Sequence, residues 1–165
     1  MVIGIGGVSR AGKTSLALQM QKWYNSKSVV LLHQDDYVFP VEQISTINGH
    51  VDWEKPDAYD YKRLIEVISE AKRNYDIIVI EGLMVLCHLE LMQLMDRLIY
   101  IQISKEAFLK RKTIDKRWGN EPEWYIEHIW NSHILYCKNT NNVDSILVID
   151  GEENNSERVK NYINE

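Results

Sequence analysis

A glycine-rich loop near the amino end constrains this chain more than any other feature. Residues 7–14 read Gly-Val-Ser-Arg-Ala-Gly-Lys-Thr and fit the pattern G-x-x-x-x-G-K-[S/T] at every fixed position. The apolar residues 2–5 lead into the loop, and a helical pattern follows it. Between a strand and a helix, the backbone N–H groups of such a loop wrap a triphosphate, and the helix N-terminus adds partial positive charge. The sequence therefore predicts a nucleoside triphosphate site within an α/β fold.

The side chains of this loop have separate expected roles. Lys13 can reach the β- and γ-phosphates, and the Thr14 hydroxyl can bind Mg²⁺. We therefore predict ATP and Mg²⁺ as cofactors, with Lys13 acting in catalysis and Thr14 as a metal ligand. The loop positions predicted to contact the nucleotide are Gly7, Ser9, Arg10, Ala11, Gly12, Lys13, Thr14 and Ser15.

Short apolar runs alternate with helical patterns along the rest of the chain. The runs predict strands over residues 2–6, 29–33, 76–81, 98–103 and 146–149, and the helical patterns cover 13–24, 61–72, 105–116, 123–137 and 156–163. Strands that are apolar throughout are typical of a parallel sheet covered on both faces. We predict one α/β domain over residues 1–165, a three-layer sandwich of the P-loop NTPase type. It has a five-stranded parallel sheet, helices on both faces and a helical lid over about 105–123.

Composition limits the partners and the compartment that we expect. A net charge of −5 and a pI near 5.6 argue against nucleic acid as the main partner, because proteins that bind nucleic acid usually present a basic face. We find no apolar stretch of membrane-spanning length, and the amino end passes directly into a strand without a signal pattern. Cys87 and Cys137 show no C-x-x-C or disulfide-rich spacing and indicate reduced thiols. We expect a cytoplasmic protein that binds a small molecule, with neither nucleic acid nor a membrane as partner.

Acidic residues follow two of the predicted strands, at the edge where ligands bind in such folds. Asp35 and Asp36 come after the second strand, and Glu81 ends the third. A kinase needs a carboxylate at this edge to accept the proton of the attacking hydroxyl and to organise Mg²⁺. We predict Asp35 as the general base and a metal ligand, and Glu81 as the second catalytic and metal-side acid. A solvated Asp-Asp turn or helix cap, and a strand-end acid held by backbone N–H groups, are the alternatives.

A basic cluster at residues 110–112 and 116–117 follows the fourth predicted strand. Phosphoryl transfer needs cations over the transferring group, and a helical lid can deliver them when it closes. A charged helix face that is merely solvated is the alternative. We predict that at least one of Arg111, Lys116 and Arg117 contacts phosphate, with Arg111 and Lys116 as the nucleotide-binding candidates.

A segment over about residues 35–60 is expected to bind the acceptor. It contains the tight-turn pair Asn48-Gly49 and the pair Trp53-Glu54. An aromatic face beside a carboxylate suits a nucleoside, because the ring packs against the base while the acid holds ribose hydroxyls. Trp53 as a core anchor with Glu54 on the surface is an almost equally good interpretation. The five histidines show no metal-ligand spacing with the cysteines.

Together these motifs resemble the uridine kinase-like small P-loop kinases and, within them, the nicotinamide riboside kinases. The resemblance covers nearly the whole chain and rests on residues 4–14, 34–37, 53–60, 80–82 and 128–130, with Tyr136. It implies that Asp35 is the general base, that Glu81 is the second acid and that Glu54 grips the ribose. Trp118 falls where riboside kinases carry an aromatic side chain against the nicotinamide ring. The substrate-binding positions that the resemblance implies are Asp35, Asp36, Tyr37, Trp53, Glu54 and Trp118.

The resemblance implies ATP-dependent phosphorylation of the 5′-hydroxyl of a ribonucleoside, with nicotinamide riboside as the first choice. Glu54 stands where the family commonly has aspartate, and the lid carries fewer arginines, which leaves the acceptor more open than the chemistry. The alternatives are a uridine or cytidine kinase, another small-molecule P-loop kinase, or a regulatory module that binds nucleotide without turnover. Asp35 and Glu81 favour an enzyme, since a binding module needs neither. The choice between ATP and GTP, the lid cation that contacts phosphate and the oligomeric state stay open.

Overall fold

A five-stranded parallel sheet forms the centre of the protein. It is seen in a computed structural model, in which the described residues are 1–115, 119–137 and 145–165. The sheet order is β2-β5-β1-β6-β7, and β3 and β4 form a separate antiparallel hairpin, with the bounds given next. The strands are β1 (Val2–Gly7), β2 (Val29–His33), β3 (Thr46–Ile47), β4 (His50–Val51), β5 (Ile77–Gly82), β6 (Arg97–Gln102) and β7 (Ile146–Asp150).

The α-helices of the described chain connect these strands. They are α1 (Lys13–Trp23), α2 (Tyr61–Ala71), α3 (Leu89–Met92), α4 (Lys105–Ile114), α5 (Glu123–Cys137) and α6 (Ser156–Asn164). Capping side chains mark three of the starts: Asp60 accepts the Arg63 N–H at 3.0 Å, His88 Nδ1 the Leu91 N–H at 3.4 Å, and Ser104 Oγ the Ala107 N–H at 3.1 Å. Within the described residues, none of the helices combines the length and the apolar content needed to cross a membrane.

The central strands send alternate side chains into two hydrophobic cores. On β5, Ile77 and Val79 enter the core that α1, α4, α5 and α6 cover, whereas Ile78 and Ile80 enter the core that α2 and α3 cover. Successive Cβ atoms of a strand point to opposite faces, so a strand covered on both sides is apolar at every position. The predicted α/β three-layer sandwich with helices on both faces is confirmed.

The predicted strands and helices are present, and their ends differ from the predicted ends by at most two residues. The hairpin β3–β4 and the helix α3 were not predicted, because each is too short to show a periodic pattern. Asn48 (φ +49°) and Gly49 (φ +79°) form the hairpin turn, in keeping with the tight-turn signal. The helix α4 ends at Ile114 rather than at residue 116.

Candidate active site

The glycine-rich loop joins β1 to α1, and its backbone explains its glycines. Gly7 (φ +147°) and Gly12 (φ +107°) adopt left-handed conformations that other residues disfavour. A Cβ on Gly7 would also lie 2.5 Å from the carbonyl oxygen of Ile101 on the neighbouring strand. The helix α1 begins at Lys13, and no side chain caps it at Gly12. Its first N–H groups are therefore available to an anion, as a phosphate-binding loop requires.

Three polar side chains meet at the carboxyl ends of β2 and β5. Thr14 Oγ1 donates a hydrogen bond to Glu81 Oε1 at 2.9 Å, and His33 Nδ1 lies 2.8 Å from the same oxygen. His33 and Glu81 are register partners on adjacent parallel strands, so they lie side by side. His33 was not predicted as a site residue; its position as the last residue of β2 is the signal that could have identified it. Thr14 and Glu81 are brought together, as the predicted metal site requires.

The oxygen donors at this point fit a metal ion that arrives with a nucleotide. Among the described residues, no group of three or more His, Cys, Asp and Glu side chains is arranged to hold a metal. Mg²⁺ at a nucleotide site needs only one or two carboxylates, since phosphate oxygens and water complete its shell. The Thr14 hydroxyl and the Glu81 carboxylate supply hard oxygen ligands of that kind, with Asp35 on the same cavity wall.

Lys13 and Asp35 face the same cavity and influence each other's ionisation. Lys13 Nζ donates a hydrogen bond to the carbonyl oxygen of Val8 at 3.0 Å. Burial lowers the pKa of Lys13, while the negative charges of Glu81 and Asp35 oppose that shift. The surrounding protein desolvates Asp35 and raises the pKa of its carboxyl, and the charge of Lys13 opposes the rise. Although its side chain is open to the cavity, Asp35 is thus a stronger proton acceptor than an ordinary aspartate.

A hydrogen bond of the neighbouring residue Gln34 fixes the turn that carries Asp35. Gln34 is fully buried, and its Oε1 accepts the Met84 N–H at 2.8 Å. A Cβ on Gly82 would lie 2.3 Å from the Gln34 side chain, so the end of β5 needs glycine for this close approach. Asp36 is exposed and Tyr37 is buried against the core under α2, and neither lines the cavity that Asp35 enters.

A single cavity of about 880 Å³ runs from the glycine-rich loop to the segment expected to bind the acceptor. Ser9, Arg10 and Gly12 to Ser15 line its loop end. Asp35, Glu81 and Gly82 line its middle at the strand ends. The far end is lined by Trp53, Glu54, Tyr59 and Tyr125. The other lining residues include Arg111, which reaches the loop, and Lys112, Glu121 and Pro122. The structure therefore brings the base Asp35, the second acid Glu81, the acceptor residues Trp53 and Glu54 and most of the predicted loop into one space, whereas the loop residues Gly7 and Ala11, like Asp36 and Tyr37, do not line it.

Glu54 is the most unusual group in this cavity. It is 8% exposed, and its Oε2 finds no hydrogen-bond partner among the described residues. Burial raises the pKa of Glu54 to about 8, and the positive charge of Lys112 limits the rise. Lys112 is itself buried and forms an ion pair of 2.6 Å with Glu121. A buried carboxyl that lacks a partner is rare in folded proteins and is typical of a group that awaits a ligand. The interpretation of Glu54 as a surface residue is wrong.

A buried aspartate fixes the chain on either side of Glu54. Asp52 is fully buried. His128 Nε2 lies 2.7 Å from one of its carboxylate oxygens, and Lys55 Nζ lies 3.0 Å from the other. The Asp52 carboxylate also accepts the Glu54 N–H at 3.3 Å. These hydrogen bonds lower the pKa of Asp52, although burial acts in the opposite direction. Asp52 was not predicted as a site residue, and no local sequence signal distinguishes it. His128 belongs to the stretch that carried the resemblance, which was the available signal.

Aromatic side chains form one wall of the far end. Trp53 is half-buried and packs against a small core around Ile44, Tyr59 and Met84, yet it also lines the cavity. Trp53 is therefore a core anchor that also faces the cavity, and its contact with a ligand stays a prediction. The hydroxyl of Tyr125 donates to the Val51 carbonyl oxygen at 3.1 Å and ties α5 to β4. Tyr125 lines the cavity as well and was not predicted.

The basic side of the cavity differs from the predicted lid in one respect. Arg111 lines the cavity, but its guanidinium donates to the carbonyl oxygens of Arg10 at 3.1 Å and of Gly151 at 2.9 Å. It therefore braces the glycine-rich loop through the backbone. The predicted positions Lys116, Arg117 and Trp118 lie outside the described residues.

Sheet order, loop and strand-end acids together define the fold class of the P-loop kinases. No family model matches the chain. Among solved structures, a gluconokinase from Sinorhizobium meliloti 1021 has a TM-score of 0.62 at 14% identity, covering 99% of this chain and 89% of that one. A possible uridine kinase from Bacillus stearothermophilus has a TM-score of 0.56 at 20% identity, covering 89% and 88%. These neighbours agree with the predicted fold.

The relatives found by sequence indicate a narrower class of enzyme than the structural neighbours do, because those reported next all carry the names of nucleoside kinases. The chain is 25% identical to nicotinamide riboside kinase 1 of Rattus norvegicus over 91% of this chain and 85% of the relative. The human enzyme of the same name is also 25% identical, over 91% and 83%. A uridine kinase of Oceanobacillus iheyensis is 23% identical over 93% and 88%. The predicted resemblance to uridine kinase-like P-loop kinases is confirmed, and these relatives support a kinase.

Proposed function

We propose that this chain is a nucleoside kinase that transfers a phosphoryl group from ATP to the 5′-hydroxyl of a ribonucleoside, nicotinamide riboside above others. The observation that carries the proposal is the cavity of about 880 Å³ that joins Lys13 and Thr14 to Asp35 and to the buried Glu54. A donor site and an acceptor site in one cavity are what direct transfer requires. Relatives named nicotinamide riboside kinase 1, which align with 91% of the chain, favour this acceptor.

At the donor end, the loop N–H groups and Lys13 bind the phosphates. The hydrogen bond from Lys13 to the Val8 carbonyl oxygen would be exchanged for one to a phosphate oxygen. Thr14, Glu81 and Asp35 supply the oxygen atoms that would hold Mg²⁺. When bound, Mg²⁺ neutralises negative charge on the phosphates. Arg111 keeps the loop backbone in place through its bonds to the Arg10 and Gly151 carbonyl oxygens.

At the centre, Asp35 accepts the proton of the attacking hydroxyl. Its position after β2, at the end of the sheet beside Lys13, lies between the loop and the acceptor wall of the cavity. Its raised pKa brings its proton affinity closer to that needed near neutral pH. Lys13 then stabilises the negative charge on the transferring group.

At the acceptor end, Glu54 receives hydrogen bonds from ribose hydroxyls. A ligand hydroxyl would satisfy the buried Oε2, which has no partner among the described residues. Trp53 and Tyr125 provide flat aromatic surfaces for the ring of the nucleoside. Recognition by one carboxyl and aromatic faces tolerates several rings, so a pyrimidine nucleoside is the second candidate acceptor. Uridine kinases that align with 93% of the chain favour that candidate.

The test is ADP release from ATP·Mg²⁺ by the wild-type chain with nicotinamide riboside, uridine, cytidine and adenosine as separate acceptors. We expect turnover with nicotinamide riboside, with a kcat/KM at least tenfold above that for any other acceptor. Preference for uridine or cytidine would keep the mechanism and change the acceptor. ATP binding with no ADP release on any acceptor would instead favour a regulatory nucleotide-binding module.

A further inference from the structure

The two cysteines of the chain lie against each other, although 49 residues separate them in sequence. Cys87 ends the single helical turn Val85–Cys87 that follows β5, and Cys137 is the last residue of α5. Their sulfur atoms are 2.6 Å apart. The short helical turn after β5 and the end of α5 thus meet at a pair of reduced thiols.

The surroundings of Cys137 favour its reactive form. The contact with Cys87 lowers the pKa of the Cys137 thiol to about 6, with nearby His133 and the charge of Lys13 acting in the same direction and burial opposing them. Either thiol can donate in the contact between the two sulfur atoms, and this contact and burial raise the pKa of Cys87. A thiol of lowered pKa beside a second thiol is the arrangement that thiol–disulfide chemistry needs.

The pair can also be reached. Cys87 is only half-buried, so a small oxidant can approach the two sulfur atoms from its side. Cys137 is buried against the Leu83 carbonyl oxygen at 3.5 Å and Met84 Sδ at 3.9 Å. Leu83 lines the cavity of the candidate active site. A bond between the sulfur atoms would therefore join α5 covalently to the segment that forms part of the cavity wall.

We propose that Cys87 and Cys137 form a reversible oxidation site that closes into an intramolecular disulfide with a hydroperoxide as oxidant. The two thiols give up two electrons and two protons as the S–S bond forms. The O–O bond of the hydroperoxide breaks and takes up both, which yields an alcohol and water, or two waters from hydrogen peroxide. A dithiol reductant reverses the reaction by exchange.

The test counts thiols in the wild-type chain before and after treatment with a small excess of hydrogen peroxide, followed by alkylation and mass spectrometry. We expect both thiols to be lost together, a monomeric chain lighter by two hydrogen atoms, one cross-linked peptide that contains both cysteines, and full recovery with dithiothreitol. Mass and thiol content do not depend on phosphoryl transfer, so the result is independent of the proposed function.

The variants Cys87→Ser and Cys137→Ser are the matched controls, since each keeps one thiol of the pair. We expect neither to form the cross-link, and we expect Cys87→Ser to accumulate the sulfenic acid of Cys137, which a dimedone probe captures. Disulfide-linked dimers of the wild-type chain, separate oxidation of the two sulfur atoms, or thiols that do not react would each overturn the proposal. Because the wild-type measurement needs neither variant, it decides the matter even if a serine variant fails to fold.

Discussion

Lys13 and Asp35 each become harder to ionise through burial, and each stabilises the charge of the other. A bound triphosphate would add negative charge beside Lys13 and raise its pKa again, so the ammonium stays charged when the nucleotide is present. The charge of the triphosphate would raise the pKa of the Asp35 carboxyl, whereas Mg²⁺ bound beside it would lower that pKa, so the two effects on Asp35 oppose each other. Nucleotide binding is therefore expected to keep Lys13 charged for transfer.

Replacement of Asp35 by asparagine tests this role with little change of shape. We expect Asp35→Asn to lower kcat by roughly 100- to 10,000-fold, the range for loss of a general base. Asp36→Asn is the matched control, because Asp36 is exposed and lies outside the cavity lining; its kcat should stay within about tenfold of wild type. Steady-state ADP release measures both. Near-normal kcat for Asp35→Asn would remove it as the base.

The buried carboxyl of Glu54 makes a second prediction, on stability. Its pKa rises from an ordinary 4.5 to about 8 in the folded chain. Between these values the folded state holds a proton that the unfolded state releases, so the free energy of unfolding falls as pH rises through this window. We expect a loss on the order of a few kcal/mol from pH 5 to pH 8. Glu54→Gln should flatten the profile, as urea unfolding at several pH values would measure; parallel profiles for both proteins would contradict the assignment.

At the scale of the elements, Asp52 with its partners His128 and Lys55 forms a hub that joins the acceptor segment to α5. Removal of His128 leaves a buried carboxylate with Lys55 as its ion-pair partner. We expect His128→Ala to lower the free energy of unfolding by roughly 1.5–3 kcal/mol, the usual cost of losing a hydrogen bond to a charged group. We also expect a higher acceptor KM with kcat much less affected, because the hub positions Glu54. Asn131→Ala, on the exposed side of the same helix, is the control and should change neither.

Arg111 gives the matching prediction for the donor side. Its two hydrogen bonds link α4 to the glycine-rich loop and to the turn after β7. We expect Arg111→Ala to raise the KM for ATP by about tenfold or more, since a charged hydrogen bond is worth roughly 1.5–3 kcal/mol. Arg111→Lys should not restore it, because one ammonium group cannot reach both carbonyl oxygens as the planar guanidinium does. Lys110→Ala, exposed on the same helix, is the control; an equal effect there would point to net charge alone.

For the whole molecule, the sequence predicts the features that lie within one short stretch of residues. It does not predict the contacts between residues that are far apart in the chain. The loop, the strand ends and the carboxyl groups Asp35 and Glu81 follow from contiguous patterns and from the rule that ligands bind beyond parallel strands. For Glu54 the pattern leaves a surface position almost equally good, and its ribose-binding role comes from the family resemblance. The Asp52–His128 contact spans 76 residues and the Cys87–Cys137 contact spans 50. Such pairs depend on how α5 packs against the segments that follow β4 and β5. The periodicity of the sequence carries no information about that packing. The register of β2 and β5, which sets His33 beside Glu81, belongs to the same category.

The site draws residues from positions 9 to 125 of the chain, so a nucleotide that binds it should stabilise the fold as a unit. At a concentration one hundred times its Kd, a ligand adds about 2.7 kcal/mol to the free energy of unfolding. For a chain of this size that corresponds to a rise in Tm of roughly 5–10 °C. We expect ATP with Mg²⁺ to produce this rise in the wild-type chain and most of it in Asp35→Asn, which keeps the phosphate-binding groups and offers Mg²⁺ an amide oxygen in place of a carboxylate. Thermal unfolding with and without nucleotide measures it.

Two variants separate the contributions to this stabilisation. Lys13→Ala should lose most of the rise together with turnover, because it removes the only side-chain cation in the loop that the motif directs at the β- and γ-phosphates. Thr14→Val keeps the shape of the side chain and removes the hydroxyl that faces Glu81. It should therefore lose the extra rise that Mg²⁺ gives over ATP with EDTA, whereas Thr46→Val, on the exposed β3, should keep it. A Mg²⁺-dependent rise that survives in Thr14→Val would mean that the metal takes its protein ligands elsewhere.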